Sequence, residues 1–381
     1  MDNFKKFFPF ANKVTYLDSA AMMQKPLSVV EKINEFYLNF AVNTHSQNSK
    51  ISYESLEKIR KTREKIAKFI DADPNEIIFN SGTTEAINLF AHMVKKFVKN
   101  GDEILLSPFN HSSNLIVWIK IAEEIGAKIV YSEKIVDKIS AKTKIIAFSQ
   151  TNNSILVDLD LTEIWKKAIK YDAFVINDAT QSINYQKVSM NFSHAIAFSS
   201  NKFYGPTGLG VLAIKKILLD KLEPVKFGGG TIVKMNSENI SYHNDYRKFE
   251  AGTLNFAAIW GLDAAIDFVN NIGIKSICKN LEILSSYLYE KLKKIDDIEI
   301  FSKKGDHIII FNIKNFSAHD VASYLGNKNI YVRSGTFCVP FLKKLLKKNS
   351  FIRVSLAFYN DFNDVDNLVE ILEKKEFLDF V

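Results

Sequence analysis

Residues 198–210 read FSSNKFYGPTGLG, and the lysine at position 202 asks for an explanation. Ahead of it HAIAFSS (194–200) and behind it LGVLAI (209–214) are apolar and β-branched enough to be strands. Lys202 therefore falls where a buried strand ends and a glycine-rich chain must turn. Working outward, EIIFN (76–80), DEILLS (102–107), KIVYS (128–132), TKIIAFSQ (143–150) and AFVIND (173–178) predict further short buried strands. Helical patterns such as TTEAINLFAHMVKKFV, NLIVWIKIAEEIG and LTEIWKKAIKY separate several of them. That alternation predicts an α/β fold built on a mainly parallel sheet. After RKFEAGTLNF (247–256) two long helices are followed by strands HIIIFNI, NIYVRSG and FIRVSLAF, with helices AHDVASYL and DVDNLVEILEKK among them. This second pattern predicts a smaller α+β domain. We expect a large domain over 14–260 and a small one over 261–381, joined by the N-terminal segment 1–13.

Composition narrows the class of function. With 381 residues, 47% of them hydrophobic, the chain has material for two domains and a large core. No run approaches the roughly 18 apolar residues of a membrane span, and MDNFKKFFPFANK lacks the apolar centre of a signal peptide. A cytoplasmic protein with no membrane partner is expected. Cys278 and Cys338 are the only cysteines, which is no secreted disulfide framework and leaves one free to be reactive. The net charge of +7 comes from lysines scattered among acidic residues along helical patterns, so a solvated surface is expected rather than a nucleic-acid site. No metal site is expected.

In open parallel sheets, ligands sit beyond the carboxyl ends of the strands, so the polar residues just after each strand are the ones to collect. Ser81-Gly82-Thr83-Thr84-Glu85 opens a helix after the first strand, where backbone N–H groups, the helix dipole and two threonine hydroxyls can hold a phosphate. The same residues also serve as a plain helix cap. Asn110-His111 follows the second strand, Thr151-Asn152-Asn153 another, and Asp178 ends a third, with Gln181 beyond. A phosphate cradle, a carboxylate, an aromatic nitrogen heterocycle and Lys202 at one edge are what pyridoxal 5′-phosphate requires. The lysine would form the Schiff base, and the carboxylate would keep the pyridine nitrogen protonated. Each residue alone has an ordinary structural reading: Asp178 a strand-end cap, His111 a loop histidine. Their joint arrival at strand ends is what points to the cofactor.

On these residues the chain resembles the class V aminotransferase group of PLP enzymes, and within it the cysteine desulfurases, closest to the SUF-type branch. The resemblance runs through YLDSAA (16–21), GTTEAINL (82–89), NDATQ (177–181), SSNKFYGPTGLG (199–210), RKFEAGT (247–253), VRSGTFC (332–338) and RVSLAFYN (353–360). It implies the PLP-dependent fold type I and a homodimer. In that fold Lys202 would be the Schiff-base lysine, Asp178 the partner of the pyridine nitrogen, Gln181 a donor to the ring oxygen, and His111 stacked on the ring. Thr83, Thr84 and Ser199 would hold the phosphate, with Asn201 beside them and Thr253 reaching the neighbouring subunit's phosphate. Arg353 would clamp the carboxylate of L-cysteine with help from Asn153. Cys338 would accept sulfur as a persulfide, for passage to a sulfur-acceptor protein in iron–sulfur cluster assembly or tRNA thiolation.

Read from its own surroundings, Cys338 follows a strand close to a proline, so a loop position is expected, whereas Cys278 lies in the helical pattern IKSICKNLEILSSYL. Asn201 stands where the family usually has histidine, and Thr336-Phe337 where SUF-type enzymes show two histidines. The stretch NTHSQNSKIS (43–52) keeps His45 but lacks the arginine-glycine pair expected after it. Rival readings are an aminotransferase, a selenocysteine lyase, or a non-catalytic sulfur-transfer partner. Lys202, Asp178 and Arg353 together weigh against the last.

Overall fold

A computed structural model of the chain describes residues 4–43 and 48–375. His45 lies outside them. The seven stretches read as strands form one sheet: β1 (Ile77–Asn80), β2 (Glu103–Leu106), β3 (Lys128–Tyr131), β4 (Thr143–Ser149), β5 (Phe174–Asp178), β6 (Ala195–Ser199) and β7 (Gly210–Ile214). Their order across the sheet is β1-β7-β6-β5-β4-β2-β3. All neighbours are parallel except β7, which runs antiparallel to both β1 and β6. β4 to β7 are buried almost end to end, as strands covered by helices on both faces must be.

Three helices connect and cover these strands: α1 (Thr83–Val94), α2 (Ile116–Ile125) and α3 (Leu161–Lys170). The apolar stripe of α1, Ile87, Phe90, Ala91 and Val94, packs with Ile104, Trp118 and Leu212 on one face of the sheet. Ile164 and Ala168 of α3 pack with Phe148 and Val175 on the other. Then come the two long helices, α4 (Phe256–Ile272) and α5 (Ile274–Lys293). They lead to an antiparallel sheet of order β8-β9-β11-β10: β8 (Ile298–Ile300), β9 (Ile308–Ile313), β10 (Arg333–Gly335) and β11 (Phe351–Ser355). α6 (Ala318–Asn327) and α7 (Phe362–Lys374) complete this part.

Two features depart from the sequence pattern. NIYVRSG, expected as one strand, divides at Val332. Ile330–Tyr331 pair in parallel with Thr15–Tyr16, and only Arg333–Gly335 join the antiparallel sheet. A hairpin, Ile232–Met235 with Ile240–Tyr242, was not anticipated and leaves Val233, Met235 and Ile240 exposed. A third feature positions the site. Past Tyr16 the chain continues beside β11, with Asp18 bridging Ser355, the Ser355 N–H donating to the Leu17 carbonyl at 2.8 Å, and the Ala20 N–H donating to Ser355 Oγ at 2.9 Å. The carbonyls of Ala20 and Ala21 are thereby brought within reach of Lys202 and, at Ala20, of Gln181.

Candidate active site

Beyond the carboxyl ends of β4, β5 and β6 lies a cavity of about 410 Å³. Its walls include Thr83, Thr84, His111, Asn153, Asp178, Gln181, Ser199, Asn201, Lys202, Cys338 and Arg353. Thr253 is not among them. It lines a smaller neighbouring cavity with Lys226 and Asn255, and the Gly252 N–H donates to the Gly229 carbonyl at 2.9 Å, joining this segment to the base of the exposed hairpin.

Each wall has a local cause. β1 ends at Asn80, whose Oδ1 accepts from the Gly82 N–H at 2.9 Å, and the Ser81 N–H donates to Glu85 at 2.7 Å. This turns the chain sharply into α1. A side chain at Gly210 would place its Cβ 2.5 Å from the Gly82 Cα, so β7 can lie against this turn only with glycine there. Thr83 and Thr84 then stand on the first turn, where N–H groups lack intrahelical partners. Their hydroxyls meet those of Thr180, at 2.8 Å, and Ser113, at 2.9 Å.

His111 sits on a loop held by the buried Asn110. Asn110 donates to the Ala147 carbonyl at 2.9 Å and accepts from the Ser149 N–H at 3.0 Å, fixing the loop to β4. The Nδ1 of His111 accepts from the Ser113 N–H at 3.2 Å, so the ring is neutral with its proton on Nε2. Burial holds the imidazole below its ordinary pKa against the opposing charge of Asp178.

Asp178 is buried at the cavity floor. It accepts from the Thr180 N–H at 3.0 Å and the Ser149 hydroxyl at 3.3 Å. Loss of water raises its pKa despite those bonds, because no lysine or arginine among the described residues pairs with it. Lys202 ends a single turn of 3₁₀ helix after β6, and its ammonium donates to the carbonyls of Ala20, at 2.7 Å, and Ala21. Burial, and then the charge of Arg353, push its amine down to about 8. Gln181 donates to the same Ala20 carbonyl at 2.9 Å, and the hydroxyl of Ser199 contacts the Asn201 side chain.

Arg353 lies on β11, 1% exposed. One nitrogen donates to the Asn153 carbonyl at 2.9 Å and another to Asp18 at 2.6 Å, and its Nε is buried without a partner. Arg333, from β10, stands 3.9 Å from the other Asp18 oxygen. Cys338 is exposed and lines the same cavity as these arginines and His111. Cys278 is exposed on α5, away from the cavity, and burial raises its thiol pKa.

Sequence reasoning missed Asp18, Thr180, Ser113 and Ser149. Asp18 stands inside YLDSAA and Thr180 inside NDATQ, so both lay within motifs already noted. Their roles depend on contacts that no spacing encodes.

The family model for aminotransferase class-V matches residues 15–368, and the chain belongs to that family. Several of its curated relatives are probable cysteine desulfurases. A probable cysteine desulfurase of Ureaplasma parvum is 36% identical over 98% of this chain and 97% of its own, and one of Borreliella burgdorferi is 35% identical over 97% and 95%. Among solved structures, the apo cysteine desulfurase of Thermococcus onnurineus superposes with a TM-score of 0.92 at 29% identity, covering 97% of this chain and 96% of that one. A cysteine desulfurase of Escherichia coli, in an S-sulfonic acid form, gives 0.92 at 29% identity over 99% and 98%.

Proposed function

We propose that the protein is a pyridoxal-phosphate-dependent cysteine desulfurase that moves the sulfur of L-cysteine onto Cys338 and releases L-alanine. One observation carries the reading: an accessible thiol shares a single cavity with a half-buried lysine, a buried carboxylate that no lysine or arginine among the described residues pairs with, and a buried arginine. A transaminase has no use for that thiol. The cofactor fits the donors present. The N-terminal turn of α1 with Thr83, Thr84 and Ser199 suits a phosphate, and the buried charge of Asp178 wants the cation that a protonated pyridine nitrogen supplies. When bound, pyridoxal phosphate supplies a carbonyl for amine exchange and a sink for the electron pair left at the substrate Cα.

The chain's own groups then have distinct tasks. Arg353 binds the substrate carboxylate with donors that Asp18 and the Asn153 carbonyl leave free, and its fixed plane sets the amino acid's orientation. Lys202, whose lowered pKa brings the neutral amine within easier reach, takes the Cα proton in that form, and the carbonyls of Ala20 and Ala21 receive the resulting ammonium. The neutral His111, with its proton on Nε2, serves proton transfer at the substrate or at Cys338. The thiolate of Cys338 attacks the substrate sulfur. A sulfur–sulfur bond forms as the carbon–sulfur bond breaks, the released electron pair stays with the carbon fragment, and protonation of that fragment yields alanine. No external oxidant or reductant is needed: the carbon fragment takes up the electron pair of the broken bond, and passage of the outer sulfur to an acceptor protein's thiol is an exchange that regenerates the Cys338 thiol.

The division at residue 260 and a homodimer belong to the same reading. The dimer is supported by Thr253, which lies off the cavity beside an exposed apolar hairpin, where a second subunit would bring it to a phosphate. A cytoplasmic setting is supported by the two-cysteine composition. The deciding experiment is incubation of the purified protein with L-cysteine, with and without reductant, followed by alanine assay and mass spectrometry of the Cys338 peptide. Alanine without any added sulfur on Cys338 would remove the desulfurase reading.

A further inference from the structure

Cys338 occupies an unusual piece of backbone. Phe337 and Cys338 have φ of +56° and +59°, and the Val339 N–H donates to the Thr336 carbonyl at 2.9 Å. The thiol therefore stands at the second central position of a mirror-image turn, where glycine or asparagine is the ordinary choice. Two adjacent residues with β-carbons hold such a conformation only when their surroundings over-determine it.

The anchors are visible. The Phe337 carbonyl accepts from the Asn153 side chain at 2.7 Å, and the Cys338 carbonyl accepts from the Ser112 N–H at 2.8 Å, next to His111. The Phe337 ring is buried with Val339, Leu342 and Phe351, and the Arg353 guanidinium carbon lies 4.8 Å from its centroid. Asn153 meets the same arginine through its own carbonyl. The substrate-carboxylate clamp and the turn that carries the thiol are thus pinned to each other through one aromatic side chain.

We propose that Phe337 is a positioning residue that couples the two: its ring braces the plane of Arg353 while its strained backbone fixes where Cys338 presents sulfur-accepting thiol. The inference rests on the desulfurase reading for the role of Cys338. Its physical content is that loosening this side chain disturbs amino-acid binding and thiol presentation together, although Phe337 belongs to neither set of reacting atoms.

The test compares wild type, Phe337→Leu and Phe337→Tyr as holoproteins of verified thermal stability. Two readouts are taken: the dissociation constant for L-alanine from visible absorbance, and the rate of Cys338 labelling by iodoacetamide without amino acid, followed by mass spectrometry. Leucine keeps apolar bulk but removes the ring face. Phe337→Leu should weaken L-alanine binding by about 5- to 30-fold, the value of a desolvated cation–π contact, and should accelerate Cys338 labelling several-fold. Phe337→Tyr, which retains the ring, should stay near wild type in both. The proposal fails if Phe337→Leu shifts only one readout or neither, or if Phe337→Tyr is as impaired as Phe337→Leu. Should Phe337→Leu not fold, Phe337→Met takes the same two measurements. Neither readout requires sulfur transfer, so a wild type that binds L-alanine but makes none from cysteine overturns the desulfurase reading separately.

Discussion

Replacing Arg353 by lysine isolates what the guanidinium does. The charge stays, so Asp18 keeps a cation nearby and the roughly 3–5 kcal/mol cost of stranding one member of a buried ion pair is avoided. What disappears is the planar fork. In the wild type one nitrogen is committed to Asp18 at 2.6 Å and another to the Asn153 carbonyl at 2.9 Å, while Nε has no partner. A lysine ammonium cannot satisfy Asp18, the Asn153 carbonyl and a substrate carboxylate with that geometry. Losing one hydrogen bond between charged groups costs about 1.5–3 kcal/mol, which corresponds to a rise in KM for L-cysteine of roughly 10- to 150-fold. Lys202, Asp178 and Cys338 are untouched, so kcat should stay within a few-fold. Alanine release measured across L-cysteine concentration separates the two parameters. A folded, cofactor-loaded Arg353→Lys protein with unchanged KM, or with kcat lost at constant KM, would refute the assignment of Arg353 as the carboxylate clamp.

Further expectations concern the other groups. Cys338→Ser should keep the visible absorbance and bind L-cysteine but release little alanine, whereas Cys278→Ser should match wild type; mass spectrometry after a brief L-cysteine pulse should find the extra sulfur on Cys338. Because the amine of Lys202 is pushed down to about 8 and only the neutral amine is nucleophilic, its reaction with pyridoxal phosphate in the apoprotein should accelerate as pH rises toward about 8 and level off above it, as borohydride trapping and peptide mapping would follow. An acceleration continuing past pH 10 would mean an ordinary lysine. Sedimentation at micromolar concentration should give a dimer, and a monomer that retains full cofactor would count against the role given to Thr253.

The sheet was legible because β4 to β7 are short, apolar and bounded by turn residues, so their burial follows from composition. Lys202, Asp178 and His111 were legible for a related reason: a charged or polar residue at the end of a buried strand, or within a few residues of it, is brought to the strand-end cavity. Asp18 was not, because its partner Arg353 is 335 positions away and the pairing depends on the chain running beside β11. The break in NIYVRSG was hidden too. Its centre, Ile330–Val332, is strand-like with no turn residue at the break, and only the arrival of Thr15–Tyr16 as a competing neighbour divides it between two pairings. The hairpin over 232–242 has apolar residues that stay exposed, so no burial pattern marked it.

The path of residues 17–21 beside β11 bears on the order in which the protein is made. Asp178 and Lys202 leave the ribosome well before Arg333, Cys338 and Arg353, and residues 17–21 gain their β11 neighbours only when Ser355 has emerged. A growing chain can expose Lys202, yet it lacks the thiol proposed as sulfur acceptor until residue 338 is made and the proposed carboxylate clamp until residue 353. Half-made copies therefore lack the complete set of groups that the proposed sulfur transfer requires.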